Sequence, residues 1–501
     1  MEKKNVISEI LRNIKSNYLR MIILGILTFL SSVIFARVLG PDTYGIYTYL
    51  TWLISTIAIL FGLGLPGTIT KFLPMYYFNE QYDQSKKFLK NLLFIQSTSI
   101  LVVSCTMILT IPLWQGLINN TSSENLHLLL LLAAINIVPT TILSLFISSV
   151  QALQRFDLYS KVAIQANVVG FLINLLIVFL IPKVEYLLIA SLLVTIYQVL
   201  TYSTVLKKSI PLHKNTVLES NADHEHIDGP INGKRIFNYS KYMYMNVVWQ
   251  QIVFARSEYF FLGIYSTPKE IAMYGIAYSL VSMSGMVFTP IMNVLNNFFS
   301  GLVARKDFEL LETIVVNLTK YFIILLMFIL TCAAAISEKL IIFVYSNEYS
   351  SVYISFFIMF SGFVILQGIS VAGSIPFLYE KQKFIVNIGL VAGVINIIQD
   401  LVLIPMLGSI GAAIANATTQ VICSVIGFIY TIKITRFRFN LARLIPCILL
   451  STIFCSLILL VRSPIIKLTL LVLYIASYFA IILFTKILKM DEMKKLLATV
   501  R

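Results

Sequence analysis

Apolar positions in this chain come in long blocks divided by short polar turns. Blocks of about 20 residues or more run at 19–38, 44–66, 91–113, 126–150, 161–182, 185–206, 239–263, 271–299, 315–336, 351–379, 384–406, 410–433, 441–461 and 464–486. That is the length a helix needs to cross hydrocarbon. Within the blocks there is no period-2 alternation of the kind a membrane barrel requires, and only helices and closed barrels satisfy their backbone in lipid. The pattern predicts an all-α integral membrane protein of about fourteen transmembrane helices. Residues 1–18 are basic and amphipathic, with Ile7, Ile10, Leu11 and Ile14 on one helical face, and are expected on the cytoplasmic membrane surface. No small-residue cleavage site closes the first block, which therefore reads as an uncleaved first helix.

The blocks repeat. Leu39-Gly40 recurs as Leu262-Gly263, Val168-Val169-Gly170 as Val391-Ala392-Gly393, and Leu180-Ile181-Pro182 as Leu403-Ile404-Pro405, all 223 positions apart. Tyr44-Gly45-Ile46 returns as Tyr274-Gly275-Ile276, seven residues late. The longest polar stretch, 207–238, lies between the sixth and seventh blocks. These features predict two pseudo-symmetric six-helix bundles, 19–206 and 239–433, joined by a cytoplasmic linker at 207–238. An extra helix pair and a cytoplasmic tail follow at 434–501. Membrane proteins built from internal repeats commonly move a solute by rocking one repeat against the other.

Composition agrees, with 58% hydrophobic and 12% charged residues, about half the charge of a soluble domain. The net charge of +15 would suggest nucleic acid in a soluble protein, but its placement is topological here. With both termini cytoplasmic, only Arg37, Lys183, Lys269, Lys339, Arg462 and Lys467 fall on outer turns, and Arg256 lies within a helix. The other basic residues face inward, as the positive-inside rule demands, and no nucleic-acid partner is expected.

Catalytic and metal chemistry find little support. Cys105, Cys332, Cys423, Cys447 and Cys455 all sit in apolar blocks without CxxC or ligand spacing. The linker's His213, Asp223, His224, Glu225, His226 and Asp228 have nothing to fix ligand geometry and read as a solvated linker. Gly229–Lys234 only faintly echoes a phosphate loop: the glycine spacing is one residue short, the hydroxyl is missing and no strand precedes it. No G-x-S-x-G or paired carboxylates occur, so no enzyme activity and no cofactor are expected.

Charges inside the blocks are the candidate chemistry, because each costs about 2.5–3.5 kcal/mol at a helix centre. Arg256 shares a face of the seventh helix with Tyr242, Asn246 and Trp249, with Gln250 at its edge. It reads either as a cation lining a cavity or as a structural partner of another helix. Glu258 lies about 200° round the same helix. The eleventh helix carries Gly389, Gly393, Asn396 and Asp400 on one face. Asp400 reads as an ion or proton coupling residue with Asn396 beside it, or as a buried packing contact, and Glu258 is an alternative coupling group. Arg37 closes the first helix, as a cation at the mouth of a cavity or an interfacial anchor.

Ala36-Arg37-Val38-Leu39-Gly40-Pro41 followed by Tyr44-Gly45 resembles the opening signature of the polysaccharide flippases. That is the O-antigen transporter family of the multidrug/oligosaccharidyl-lipid/polysaccharide exporter superfamily. Val150-Gln151-Ala152-Leu153-Gln154-Arg155-Phe156-Asp157 resembles that family's turn after the fourth helix. The chain departs at Arg256-Ser257-Glu258, where many relatives carry a lone Asp. The resemblance implies a cell-membrane flippase moving a polyprenyl-diphosphate-linked oligosaccharide to the outer leaflet, among membrane lipids, with polysaccharide polymerase and glycosyltransferases as partners. On that reading Arg256 and Arg37 hold the diphosphate, while Asn246, Trp249 and Gln250 line the sugar path. Two other readings stay open. A drug or organic-cation antiporter of the same superfamily would carry a carboxylate-rich cavity, and a membrane glycosyltransferase or polymerase would need a substantial outer domain.

Overall fold

The computed structural model describes residues 2–112, 125–210, 233–254, 257–379, 381–461 and 463–485, with side chains described from Tyr18 onward. The side chains at 249, 250, 252–254, 297, 382, 383, 385 and 441 lie outside that description. The described residues form helices and connecting turns, with no strand among them. Twelve helices among them are long and apolar enough to cross a membrane.

The difference from fourteen has two local causes. The first two blocks run on as one helix, α1 (Glu2–Leu60), broken by non-helical backbone at Gly40 (φ 74°, ψ 168°). A straight 43-residue span, Tyr18–Leu60, would reach about 65 Å, twice the hydrocarbon thickness. It does not run straight. The rings of Phe35 and Tyr47 meet edge to face at 5.6 Å, where twelve residues of straight helix would hold them roughly 18 Å apart. The chain folds back at Gly40-Pro41, so α1 holds two spans. The seventh block is described as α7 (Gly233–Phe254) and the short α8 (Glu258–Tyr265), with residues 255 and 256 outside the description. Its polar residues keep it below the apolarity of the others.

The chain forms two compact units, Met1–Lys269 and Glu270–Arg501. In the first, α2 (Leu65–Tyr77), α3 (Tyr82–Leu109), α4 (Leu126–Ala152), α5 (Phe156–Leu180) and α6 (Val184–Ser209) follow α1. Helix α4 packs against α1, α2, α3 and α6. Lipid offers helices little hydrophobic reason to associate, so close packing and hydrogen bonds must hold them. Buried Asn136 of α4 donates to the Leu188 carbonyl of α6 at 3.2 Å and accepts from Ser191 at 3.1 Å. Ser104 of α3 donates to the Ala134 carbonyl at 2.8 Å, and Tyr202 of α6 to the Tyr159 carbonyl of α5 at 3.0 Å.

Between α1 and α2 the helix is interrupted, with Leu63 and Gly64 both at positive φ (52° and 67°). Carbonyls freed at such a break must find new donors. Gln96 of α3 donates its Nε2 to the Phe61 carbonyl at 2.8 Å, and Ser240 of α7 its hydroxyl to the Leu63 carbonyl at 3.0 Å. Gln96→Leu removes the first donor and leaves the Phe61 carbonyl unpaired at a helix break in a membrane-spanning region, which costs about 1–3 kcal/mol. Heat denaturation in detergent is expected to show a lower midpoint for this variant, and an unchanged midpoint would count against the role.

The second unit holds α9 (Pro268–Ala304, from its third residue), α10 (Phe308–Tyr345), α11 (Val352–Gly373), the single turn α12 (Ile375–Leu378), α13 (Gln382–Leu407), α14 (Ser409–Thr435), α15 (Ile445–Leu460) and α16 (Pro464–Phe484). Its neighbours repeat those of the first unit. Helix α10 packs on α11, α11 on α14 and α13 on α14, as α3 packs on α4, α4 on α6 and α5 on α6. Gly170 and Gly393 lie on the equivalent helices α5 and α13. The short repeats are not equivalent in detail, however. Gly40 turns the chain, whereas Gly263 lies inside α8 against the Tyr49 ring, and the following reversal falls at Ser266. The last pair, α15 and α16, is fastened to α10 by polar contacts. Tyr478 donates to the Ile324 carbonyl at 2.7 Å and Lys467 pairs with Glu338 at 2.6 Å, while a 2.9 Å hydrogen bond between Ser451 and Tyr474 joins α15 to α16.

Candidate functional site

In the first unit the polar face of α7 is only partly covered. Tyr242 is 71% exposed and Asn246 is exposed as well. Trp249 and Gln250 follow on the same helix, while Ala255-Arg256 falls outside the described residues. The neighbouring face docks on α1, where Gln251 donates to the Thr56 hydroxyl at 3.1 Å. Glu258, the first residue of α8, is 1% exposed. Beside it Tyr259 stacks on Trp52 of α1 with ring centroids 5.6 Å apart. Arg37 is exposed, three residues before the Gly40 turn.

In the second unit Gly389, Gly393, Asn396 and Asp400 form one buried face of α13, with Asn396 2% and Asp400 0% exposed. The Asn396 Nδ2 is buried without a hydrogen-bond partner, a costly arrangement in a low-dielectric interior. One residue before Asp400, Gln399 accepts from the Thr418 hydroxyl of α14 at 2.9 Å. Thr419, Asn416 and Gln420 extend a polar seam along α14, the last two joined at 2.7 Å. Sequence reasoning singled out the α13 face but not this partner. Glu270 serves another purpose: its Oε2 accepts from the Ser409 amide at 2.8 Å and caps the start of α14.

A feature of the first unit that the sequence reading passed over is the cavity at the α1–α2 break. It measures about 360 Å³ and is lined by Ser55, Gly62, Gly64, Gly67, Thr140 and Ser144 among others. Each of its three hydroxyls donates to a carbonyl of its own helix, at 2.7–2.9 Å. With those hydroxyls turned to their own helices and Ala58, Ile59, Pro66 and Val247 completing the lining, the pocket is a mainly apolar chamber beside unwound backbone. Transporters often place substrate or ion contacts at such breaks. The signal was present as Gly62-Leu63-Gly64-Leu65-Pro66-Gly67, three glycines and a proline in six residues. The cations of this unit rest partly on rings: Lys71 lies 4.4 Å from the Tyr239 ring centroid and Arg20 4.7 Å from that of Tyr159.

The arrangement of helices in the two units is shared with solved membrane transporters. Superposition on the lipid II flippase MurJ, in its inward closed conformation, gives a TM-score of 0.66 at 18% identity over 93% of this chain and 98% of that one. A MATE family multidrug resistance transporter in an inward-facing conformation gives 0.59 at 15% identity, over 83% of this chain and 97% of that one. A MOP superfamily transporter from Pyrococcus furiosus, described as having a binding pocket of reverse polarity, gives 0.54 at 13%, over 85% and 95%. No curated protein sequence matches. The family model described as "Polysaccharide biosynthesis protein" matches residues 10–300, more than half of the 501-residue chain, and the chain belongs to that family.

Proposed function

We propose that this protein is a flippase that carries a polyprenyl-diphosphate-linked oligosaccharide from the cytoplasmic to the outer leaflet of the cell membrane, by alternating access, for surface polysaccharide assembly. The observation that carries the reading is the family match across residues 10–300, and the fold shared with a lipid flippase supports it. The physical need is plain: a diphosphate and a hydrated glycan cannot enter hydrocarbon unaided. Arg256 and Arg37 are the cations assigned to the diphosphate, with Asn246, Trp249 and Gln250 along the sugar path. The bundles 19–206 and 239–433 act as the rocking halves, and 207–238 links them on the cytoplasmic side. A polysaccharide polymerase and glycosyltransferases would act on either side of this step. Deleting the gene tests the assignment: lipid-linked oligosaccharide should accumulate in the inner leaflet while surface polysaccharide is lost. Unchanged surface polysaccharide would contradict it.

Asp400 and Asn396 are the coupling pair of this reading, and Glu258 is the alternative from α8. A carboxylate buried among helices and backed by an amide one turn away is suited to exchange a proton or hold a cation as its surroundings alternate between wet and dry. Asp400→Asn is then expected to leave substrate binding intact but remove the dependence of transport on an imposed ion gradient. If the variant's gradient dependence matches the wild type's, Asp400 is a packing residue. The likeness to MATE family transporters favours one second reading, an organic-cation antiporter, which predicts uptake of cationic drugs by vesicles reconstituted with the protein.

A further inference from the structure

The first unit holds another cavity, separate from the helix break, that the flipping reading does not use. It measures about 490 Å³ and lies among α2, α3, α4 and α6. Two helices present matching faces to it. On α3, Lys86, Leu89, Lys90 and Leu93 follow one another at i, i+3, i+4 and i+7. On α6, Ser203, Leu206 and Lys207 repeat the first three of these spacings, and Ile210 follows just past the helix end. Lys86 and Lys90 lie toward the start of α3, which begins at Tyr82, and Lys207 lies in the last turn of α6, which ends at Ser209. The wall behind them is apolar and buried, with Ile69 of α2 and Leu145 of α4 each 1% exposed. Its deep hydroxyl, on Ser149, already donates to the Leu145 carbonyl at 2.7 Å.

We propose that this cavity is a binding site for an anionic phospholipid of the bilayer, with the headgroup phosphate on Lys86, Lys90 and Lys207 and an acyl chain against Ile69, Leu89 and Leu145. Charge complementarity and the division of the lining decide the occupant. A free anion has no use for the apolar wall, and a neutral lipid has none for three lysines. Basic pockets between membrane helices are a recognised mode of anionic headgroup binding, and the volume falls within the roughly 300–1,000 Å³ of small-ligand sites. Lysine stems cover apolar surface while their ammonium groups reach a phosphate. Ammonium groups act as point charges without the planar fork of arginine, so the site selects for charge rather than for a particular headgroup. An acyl chain against Ile69 also rests on α2, the helix that follows the break at Gly62–Gly64, and occupancy braces that helix.

The test uses the full chain in mild detergent, titrated with dioleoylphosphatidylglycerol, dioleoylphosphatidylcholine or inorganic phosphate and read by native mass spectrometry. One phosphatidylglycerol should be retained at least about tenfold more tightly than phosphatidylcholine, and each lysine should contribute roughly fivefold. The triple variant Lys86→Gln, Lys90→Gln, Lys207→Gln should lose that preference. The control Lys87→Gln, Lys208→Gln changes neighbouring lysines that do not line the cavity and should keep it. Ser203→Trp fills the apolar part without touching charge and should weaken binding as well. Equal retention of the two lipids, or equal loss in the control, would reduce the site to a general surface attraction and overturn the proposal. Displacement of the lipid by millimolar phosphate would assign the lysines to a free anion instead. Unaltered binding in Ser203→Trp would remove the acyl groove.

Discussion

If the protein flips lipid-linked oligosaccharide as proposed, with Arg256 on the diphosphate, Arg256→Ala is expected to lower flipping roughly a hundredfold, toward background, through loss of a charged hydrogen-bond partner. Expression and membrane insertion should be unchanged, since removing a cation from a spanning segment lowers the cost of inserting it. The motivation lies in the face it shares. Tyr242 and Asn246, which the sequence places at helical spacing from Arg256, are exposed on α7 rather than packed into the first unit. Arg256→Lys should recover part of the activity, because the charge returns without the fork that grips two phosphate oxygens. Wild-type flipping rates for the alanine variant in reconstituted vesicles would remove Arg256 from the site.

The second large effect concerns the break between α1 and α2. Gly64 sits at φ 67°, and a Cβ there would lie 2.5 Å from the Tyr244 amide nitrogen and 2.7 Å from the Ser240 carbonyl oxygen. Both obstacles are backbone, so neither can swing away. Gly64→Ala must therefore strain the left-handed residue or push α7 off α2. Together these cost about 2–5 kcal/mol, from backbone strain and overpacking. The expected result is a fall of many degrees in the midpoint of heat denaturation in detergent, together with loss of transport. Gly233→Ala is the control, since a Cβ added there meets nothing within 4 Å. A Gly64→Ala protein as stable as the wild type would mean that the break adopts another geometry.

The parts of this architecture legible in the sequence are those that a single helix encodes. The face of Gly389, Gly393, Asn396 and Asp400 was visible from its 3.6-residue period, and it is buried as a whole. The turn after Leu39 was visible as Gly-Pro between apolar blocks. The break at Gly62–Gly64 had a signal in its glycines and proline, but Phe61, Leu63 and Leu65 between them keep the block reading as one span. What fixes that break lies elsewhere in the chain, in Gln96 and Ser240, and no local pattern announces which carbonyl a distant side chain will reach. The polar seam of α14 escaped for the same reason: Thr418 becomes informative only once Gln399 is found against it. In the seventh block the signals compete. The polar positions that single it out as candidate chemistry also lower its apolarity.

The most direct test of the account is transport itself. The purified protein would be reconstituted into sealed vesicles carrying a fluorescent polyprenyl-diphosphate oligosaccharide, and the fraction of label open to an external reductant followed with time. The account predicts that the protected pool becomes accessible in vesicles containing the wild-type chain. Protein-free vesicles and vesicles with Arg256→Ala should keep it protected, and a cationic drug should not be taken up in its place. Label that stays protected with well-folded wild-type protein, while the same vesicles accumulate an organic cation, would contradict the account and establish the antiporter reading instead.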